Sequence, residues 1–190
     1  NESTLLPIPF GVHRENENKG ITKKTIVVTI EDSIVQMLKS ISIKERVTLN
    51  NVFEAAYSIL LNKYTGNDNV VFGKVLSGRN VDEFETEQMV GLLINTIPTL
   101  AHIDDSTSIR GLIHNLYNQS LEGMKYGFEQ LRDVLNCSPL KEKLFDTLFV
   151  FENMFDSSET VDEDYYWFFR VDSNGSEMEL NYQLVFSVSP

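Results

Sequence analysis

Apolar residues recur every three or four positions in several stretches of the chain, which is the spacing of one buried helix face. Polar capping residues precede three of these stretches, at 31–33, Thr48 and 104–106. Gly66 ends the second stretch, and Gly123 and Gly127 bracket a break after the third. The pattern therefore predicts three long helices and a short fourth one over residues 128–135. The predicted inward faces are Ile34, Met37, Leu38 and Ile41; Val52, Phe53, Ala56, Ile59, Leu60 and Tyr64; Ile109, Leu112, Ile113, Leu116, Tyr117 and Leu121; and Phe128, Leu131, Val134 and Leu135.

Runs of β-branched and aromatic residues predict strands between these helices. The run at 144–151 is apolar almost throughout, so we expect it in the centre of a sheet. The last run alternates between apolar and polar residues, which is typical of a half-exposed strand. Strands and helices together predict an α/β fold. The predicted strands cover residues 25–30, 70–76, 89–94, 144–151, 165–169 and 180–188.

One stretch places polar groups next to an apolar run. In Gln88-Met-Val-Gly-Leu-Leu-Ile-Asn-Thr-Ile-Pro98, we expect the apolar residues to form a buried strand that ends at Asn95 and Thr96 and is stopped by Pro98. Such a strand end orients a ligand and is not a catalytic apparatus by itself. Because a short segment joins this strand to the one at 70–76, we expect Arg79 and Asn95 to lie near each other.

Composition and charge limit the possible partners. A hydrophobic content of 42% is enough for a core, and the formal charge of −12 argues against binding nucleic acid or an anionic membrane surface. Residues 1–100 carry 12 acidic and 10 basic side chains, whereas residues 101–190 carry 16 and 6. The acidic second half either steers a partner or keeps the protein soluble.

The single cysteine, Cys137, excludes an internal disulfide and fits a reducing compartment. No stretch has the length of a membrane span, and the first residues do not form a secretory signal. We therefore expect a cytoplasmic location. The missing initial methionine fits either a processed piece or a cloning choice.

Motifs of self-sufficient catalytic sites are missing from the sequence. It contains no P-loop, no dinucleotide-binding glycine motif, no nucleophile elbow and no His-Glu-x-x-His. His13, His102 and His114 do not have metal-ligand spacing with each other or with Cys137, so no metal is expected. The acidic residues at 156–164 lack the pattern of a calcium loop and are expected to be solvated. The sequence therefore predicts no catalytic residue in this chain.

Four segments, in this order, resemble the C-terminal half of the condensation domains of nonribosomal peptide synthetases. The second contains a Val-Gly-x-x-x-Asn-Thr-x-Pro element that is similar to the fifth core motif of that family. The chain departs from the family at Leu100-Ala101, where a basic residue is usual, at Gly127, where proline is usual, and in the seventh motif at 137–143. The segments are Ser77-Gly78-Arg79, residues 89–98, residues 126–131 and residues 144–153.

The resemblance implies half of a chloramphenicol-acetyltransferase-like fold, a mixed β-sheet packed with helices. In that family two such α/β halves face each other across a cleft. Residues 21–190 are then the C-terminal subdomain, truncated at both ends, and residues 1–20 are a linker or extended arm. The His-His-x-x-x-Asp-Gly motif of the N-terminal half does not occur in this sequence, so the resemblance implies that this chain is inactive alone.

The resemblance also implies a reaction and its partners. Condensation domains form a peptide bond between acyl or aminoacyl thioesters carried on the phosphopantetheine arms of carrier proteins. That arm is a tethered substrate, and no cofactor is expected to bind the chain directly. The expected partners are the N-terminal condensation subdomain, peptidyl or acyl carrier proteins and a neighbouring adenylation domain.

Four residues carry the implied site. Asn95 would face the cleft and position the substrate or the pantetheine arm, while Ser77, Gly78 and Arg79 would line or brace the same tunnel. The simpler alternatives are that Asn95 is a strand-end turn residue and that Arg79 forms a stabilising ion pair. At the level of the domain, an epimerisation or other carrier-dependent acyltransferase domain and a non-catalytic docking module remain open. The sequence does not identify the amino acids that are joined.

Overall fold

The computed structural model describes residues 3–6, 25–78, 91–138, 144–152 and 182–189. These ranges contain four helices and four strands in a mixed α/β arrangement. In chain order the elements are α1 (Asp32–Glu45), α2 (Leu49–Thr65), β1 (Asn69–Leu76), β2 (Asn95–His102), α3 (Ile109–Lys125), α4 (Leu131–Cys137), β3 (Thr147–Phe151) and β4 (Leu184–Val188).

The four strands form one mixed sheet in the order β2-β1-β3-β4. β1 pairs antiparallel with β2 and parallel with β3, and β4 pairs parallel with β3. The central position predicted for the apolar strand β3 is confirmed. Because β1 and β2 are antiparallel neighbours, the end of β1 lies beside the start of β2, where Leu76 pairs with Asn95.

Helices α2 and α3 cover one face of this sheet. Alternate residues of β1 point toward them, so Val70 and Phe72 join a core that includes Tyr57 of α2 and Leu116 of α3. Tyr57 meets the ring of Phe72 edge-on at a centroid distance of 5.2 Å. A second, smaller cluster contains Val71 of β1, whose side chain points the opposite way, with Phe145, Leu148 and Leu131 of α4.

The ends of the helices follow the predicted capping residues in part. The Thr48 hydroxyl accepts from the backbone N–H of Asn51, and Gly66 ends α2 with a φ of 72°, as predicted. The start of α3 was placed too early. Ser108 caps this helix, because the Asp104 carboxylate instead closes a turn by accepting from Ser106 and Thr107.

Nine residues that were predicted on inward helix faces are exposed: Ile34, Met37, Ile41, Ala56, Leu60, Tyr64, Ile109, Leu121 and Phe128. The fourth helix begins only at Leu131, and Phe128 is 64% exposed in the connection before it. The apolar pattern extended across this connection, so it did not reveal where the helix begins.

The strand predicted at 25–30 is wrong, because these residues are exposed and form no ladder. β-branched residues favour a strand only where a neighbouring strand completes the hydrogen bonds. Residues 165–169 lie outside the described residues, and β4 covers only part of the last predicted strand.

The strand at Asn95 was predicted on the wrong side of this residue. β2 begins at Asn95, and residues 91–94 precede it without strand structure. Pro98 lies inside β2, opposite Gly73 of β1, and does not stop it. Among the described strands β2 lies at the edge of the sheet, where a proline is tolerated if its nitrogen points away from the neighbouring strand.

Candidate functional site

The candidate site lies at the end of the sheet where β1 ends and β2 begins. Ser77 and Gly78 directly follow β1, and Asn95 is the first residue of β2. Antiparallel pairing places Asn95 opposite Leu76, so three of the four predicted site residues share this end of the sheet. Arg79, the fourth, lies outside the described residues.

Gly78 occupies a position that a side chain cannot share. Its φ is 68°, in the left-handed region that favours glycine. A Cβ atom added there would lie 2.0 Å from the backbone oxygen of Leu93. The chain leaving β1 therefore packs directly against the backbone that leads into β2, which fixes the geometry around Ser77.

The Asn95 side chain is held by three hydrogen bonds within the chain. Its Nδ2 group donates to the backbone oxygens of Gly127 and Glu129, at 2.8 and 2.7 Å. Its Oδ1 atom accepts from the N–H of Thr96 at 2.9 Å. Both amide hydrogens and one oxygen lone pair are thus used, and the described residues leave a single acceptor position on Oδ1.

The connection between α3 and α4 packs on this end of the sheet. Gly127 is buried in it, and a Cβ added to Gly127 would come within 3.1 Å of Leu76 Cδ1. On either side of this glycine, Tyr126 and Phe128 are 65% and 64% exposed. The site thus combines a tight turn, one anchored amide and two exposed aromatic rings.

A buried polar network supports the same strand from the helical side. Lys74 of β1 donates to Glu54 of α2 and to the Ser120 hydroxyl of α3, both at 2.7 Å. Asn51 of α2 donates to the same Glu54 and Ser120 groups. The side chains of Lys74 and Glu54 are 4% and 1% exposed. One charged group therefore links the end of β1 to both covering helices.

The electrostatics of this pair are dominated by burial. Loss of hydration raises the pKa of the Glu54 carboxyl, and the Lys74 ammonium opposes that rise. The sequence analysis did not predict this network, although the sequence contains a signal of it. Lys74 continues the inward-facing series of Val70 and Phe72 at a spacing of two residues, so a charge was to be expected on the buried face.

The histidines within the described ranges lie away from this end. His102 is the last residue of β2, seven positions after Asn95, or roughly 23 Å along the strand. His114 contacts Glu45 at the surface, and Cys137 is an exposed free thiol. In the described part of the chain, no group of three metal-ligating side chains is close enough to hold an ion.

This end of the sheet places a tight backbone turn at Gly78 beside an anchored amide at Asn95, which are groups of the kind that orient a ligand by hydrogen bonding. Within the described ranges, no helix has both the length and the apolar character needed to cross a membrane.

Comparison with known proteins gives a family match over the entire chain. Residues 1–190 match the family described as "Condensation domain". The chain is 36% identical to bacitracin synthase 3 of Bacillus licheniformis over 131 residues. That match covers 69% of the chain but only 2% of the synthase, so the chain spans a small part of the curated relatives.

Solved structures share the fold at low sequence identity. The condensation domain of the monacolin K polyketide synthase MokA superposes with a TM-score of 0.55 and 17% identity, covering 65% of this chain and 30% of that one. A four-domain nonribosomal peptide synthetase bound to AMP and glycine gives a TM-score of 0.59 at 19% identity, covering 67% of this chain and 10% of that one. The predicted acetyltransferase-like α/β fold is confirmed.

Proposed function

This chain belongs to the condensation domain family of nonribosomal peptide synthetases, and from that premise we propose that it is the C-terminal subdomain of such a domain. Together with an N-terminal subdomain it forms a tunnel in which a peptide bond is made between two carrier-bound thioesters. Alone, it is inactive. The observation that carries the proposal is the meeting of Ser77, Gly78 and Asn95 at one end of the sheet.

The reaction joins an acceptor amine to a donor acyl group. The amine nitrogen attacks the donor thioester carbonyl, the new C–N bond forms, and the C–S bond breaks to release the donor thiol. The proton lost from the amine passes to a group outside the described part of this chain. Phosphopantetheine reaches the site as the tethered arm of each carrier protein and is a substrate.

The contribution of this chain is to hold the reacting groups in place. Fixing two tethered thioesters in line converts a bimolecular reaction into an effectively unimolecular one, which is worth up to about 7–11 kcal/mol of the barrier. A rigid wall is required for this gain. We assign Ser77, Gly78, Arg79 and Asn95 to that wall. Gly78 packs closely against the Leu93 backbone, and the Asn95 side chain is held by hydrogen bonds through both its nitrogen and its oxygen.

The partners follow from the same chemistry. A donor and an acceptor carrier protein deliver the two arms, an N-terminal subdomain supplies the opposite wall, and an adenylation domain loads the acceptor carrier. The acidic second half of the chain, with 16 acidic and 6 basic side chains, provides a long-range field for orienting a basic partner surface.

The test is reconstitution in trans. The chain is mixed with the separately expressed N-terminal subdomain of its own full-length protein and with loaded donor and acceptor carriers, and the acceptor-bound product is identified by mass spectrometry. We expect a dipeptidyl thioester from the mixture and none from the chain alone. Turnover by the chain alone would overturn the proposal, as would inversion of a stereocentre without bond formation, which indicates an epimerisation domain.

A further inference from the structure

The Asn95 side-chain amide forms three of its four possible hydrogen bonds within the chain. Its two donors both reach backbone oxygens of the connection between α3 and α4, those of Gly127 and Glu129. These residues are 32 and 34 positions away in sequence, so the contact joins the start of β2 to a distant segment. We define this segment as the 126–130 connection.

The 126–130 connection depends on this contact. Gln130 provides no side-chain cap to α4. Among the described residues, the backbone bonds of the connection run only to α3, to α4 or within the connection itself, and none reaches the sheet. They are Tyr126 N to Gly123 O, Gly127 N to Met124 O, Glu129 N to Tyr126 O, and Asp133 N and Val134 N to Gln130 O. Below it, buried Gly127 rests on Leu76. Two charge-free bonds from one amide therefore supply much of what fixes the connection to the sheet.

The connection presents two aromatic rings at the same end of the sheet as Ser77 and Gly78. Tyr126 and Phe128 flank the buried Gly127 and are both about two-thirds exposed. Their positions relative to β1 are set by the backbone of Gly127 and Glu129, and hence by Asn95. A displacement of this backbone would move both rings together.

We propose that Asn95 is a positioning residue, which acts by holding the 126–130 connection and its two rings in place and not by contacting the substrate. The effect of this role on turnover rests on the proposed function. Its effect on structure depends only on the hydrogen bonds of Asn95. The family resemblance led us to expect a direct contact between Asn95 and the substrate, and the two roles make opposite predictions for one substitution.

That substitution is Asn95→Asp, made in the full-length protein. Aspartate keeps the shape and the acceptor oxygens of asparagine but loses both donors, and it places a carboxylate against two carbonyl oxygens. If Asn95 held the substrate through its free acceptor position, Asn95→Asp would retain activity that Asn95→Ala loses. If it positions the connection, Asn95→Asp is at least as damaging as Asn95→Ala. Asn136→Asp, on the exposed side of α4, is the matched control for added charge.

The first readout is hydrogen exchange, which does not depend on catalysis. We expect Asn95→Asp and Asn95→Ala to accelerate exchange of amides in residues 126–131 by about tenfold or more, since two hydrogen bonds are lost. Asn136→Asp should leave these amides as in the wild type. Unchanged exchange at 126–131 in both Asn95 variants would overturn the proposal even if the wild-type protein makes no peptide bond.

The second readout is a double-substitution cycle on turnover. Gly127→Val displaces the connection from the other side, because a side chain at 127 meets Leu76. We expect it to reproduce the turnover loss of Asn95→Asp, and the two together to be no worse than the more damaging one. A double variant whose turnover loss equals the product of the two single losses would overturn the proposal.

A conservative variant covers the case in which Asn95→Asp does not fold. Asn95→Gln retains both donors on a longer side chain. We expect its exchange at 126–131 and its turnover to lie between those of the wild type and those of Asn95→Ala. Values no better than those of Asn95→Ala, in a protein that melts like the wild type, would contradict the role assigned to the donors.

Discussion

Single residues set the candidate site, and the sequence revealed some of them better than others. The glycine at position 78 was expected to allow a close backbone approach, and the structure has it at positive φ against Leu93. The partners of Asn95 were not predictable, since they are backbone oxygens more than 30 positions away. A local sequence pattern identifies a residue that needs backbone conformational freedom. It does not identify the distant groups that pack against that residue.

Gly78→Ala tests the tight turn, and Gly66→Ala is its matched control. Both glycines have positive φ, but nothing lies within 4 Å of a Cβ at Gly66, whereas at Gly78 the Leu93 oxygen lies 2.0 Å away. We expect Gly66→Ala to cost about 1 kcal/mol from strain alone and Gly78→Ala clearly more, on the order of 3 kcal/mol. Urea denaturation measures both, and equal costs would contradict the close packing at Gly78.

Tyr57→Phe tests the effect of burial on the phenol at the centre of the core. Loss of hydration raises the pKa of Tyr57 from 10.0 to about 12. Between these two pKa values the unfolded chain loses a proton that the folded chain keeps. The contribution of Tyr57 to the free energy of unfolding is therefore fully present below pH 10 and falls as the pH rises, by up to about 1.4 kcal/mol per pH unit. Urea midpoints at pH 9 and pH 11 should fall further in the wild type than in Tyr57→Phe. Identical pH dependence would contradict the burial of this hydroxyl.

At the scale of elements, the helices were predicted more accurately than the strands. A helix carries its hydrogen bonds within itself, so the spacing of apolar residues and the caps at Thr48 and Gly66 located α2. Its buried face was predicted only in part, because Ala56, Leu60 and Tyr64 are exposed. A strand depends on its neighbour. Residues 25–30 have β-branched side chains but form no strand, and β2, which lies at the edge of the sheet among the described strands, runs through Pro98.

The link between β1, α2 and α3 is tested by breaking the buried pair in two ways. Lys74→Met leaves the Glu54 carboxylate buried without its cation, and we expect a loss of about 3–5 kcal/mol in unfolding free energy. Lys74→Met combined with Glu54→Leu removes both charges and should recover most of that loss. Calorimetry or urea denaturation gives the values.

The control for this pair is Arg110→Met, which breaks an ion pair with Glu45 at the surface. We expect a barely measurable change in the free energy of unfolding, since solvent screens exposed ion pairs. If the double substitution is as unstable as Lys74→Met alone, the single loss does not come from an uncompensated buried charge.

At the scale of the whole molecule, the family was recognisable from the order of four short segments along the sequence. The match over residues 1–190 agrees with that order. The proposed tunnel was not predictable from physical pattern, because a chain that supplies one of two walls would contain no complete set of reacting groups. The match covers only 2% of bacitracin synthase 3, so the chain corresponds to a small part of that relative.

The most direct test asks whether the end of the sheet with Ser77, Gly78 and Asn95 faces the carrier arm. In the full-length protein, Cys137, an exposed thiol, is replaced by serine, and Ser77→Cys is paired with a carrier whose pantetheine ends in a free thiol. With oxidised glutathione added as the two-electron oxidant, disulfide trapping then reports proximity, because a docked carrier raises the effective concentration of its thiol. Asp105→Cys, beyond the far end of β2, is the control. We expect rapid cross-linking at position 77 and little at position 105, and equal rates at the two positions would contradict the placement of Ser77 beside the carrier arm.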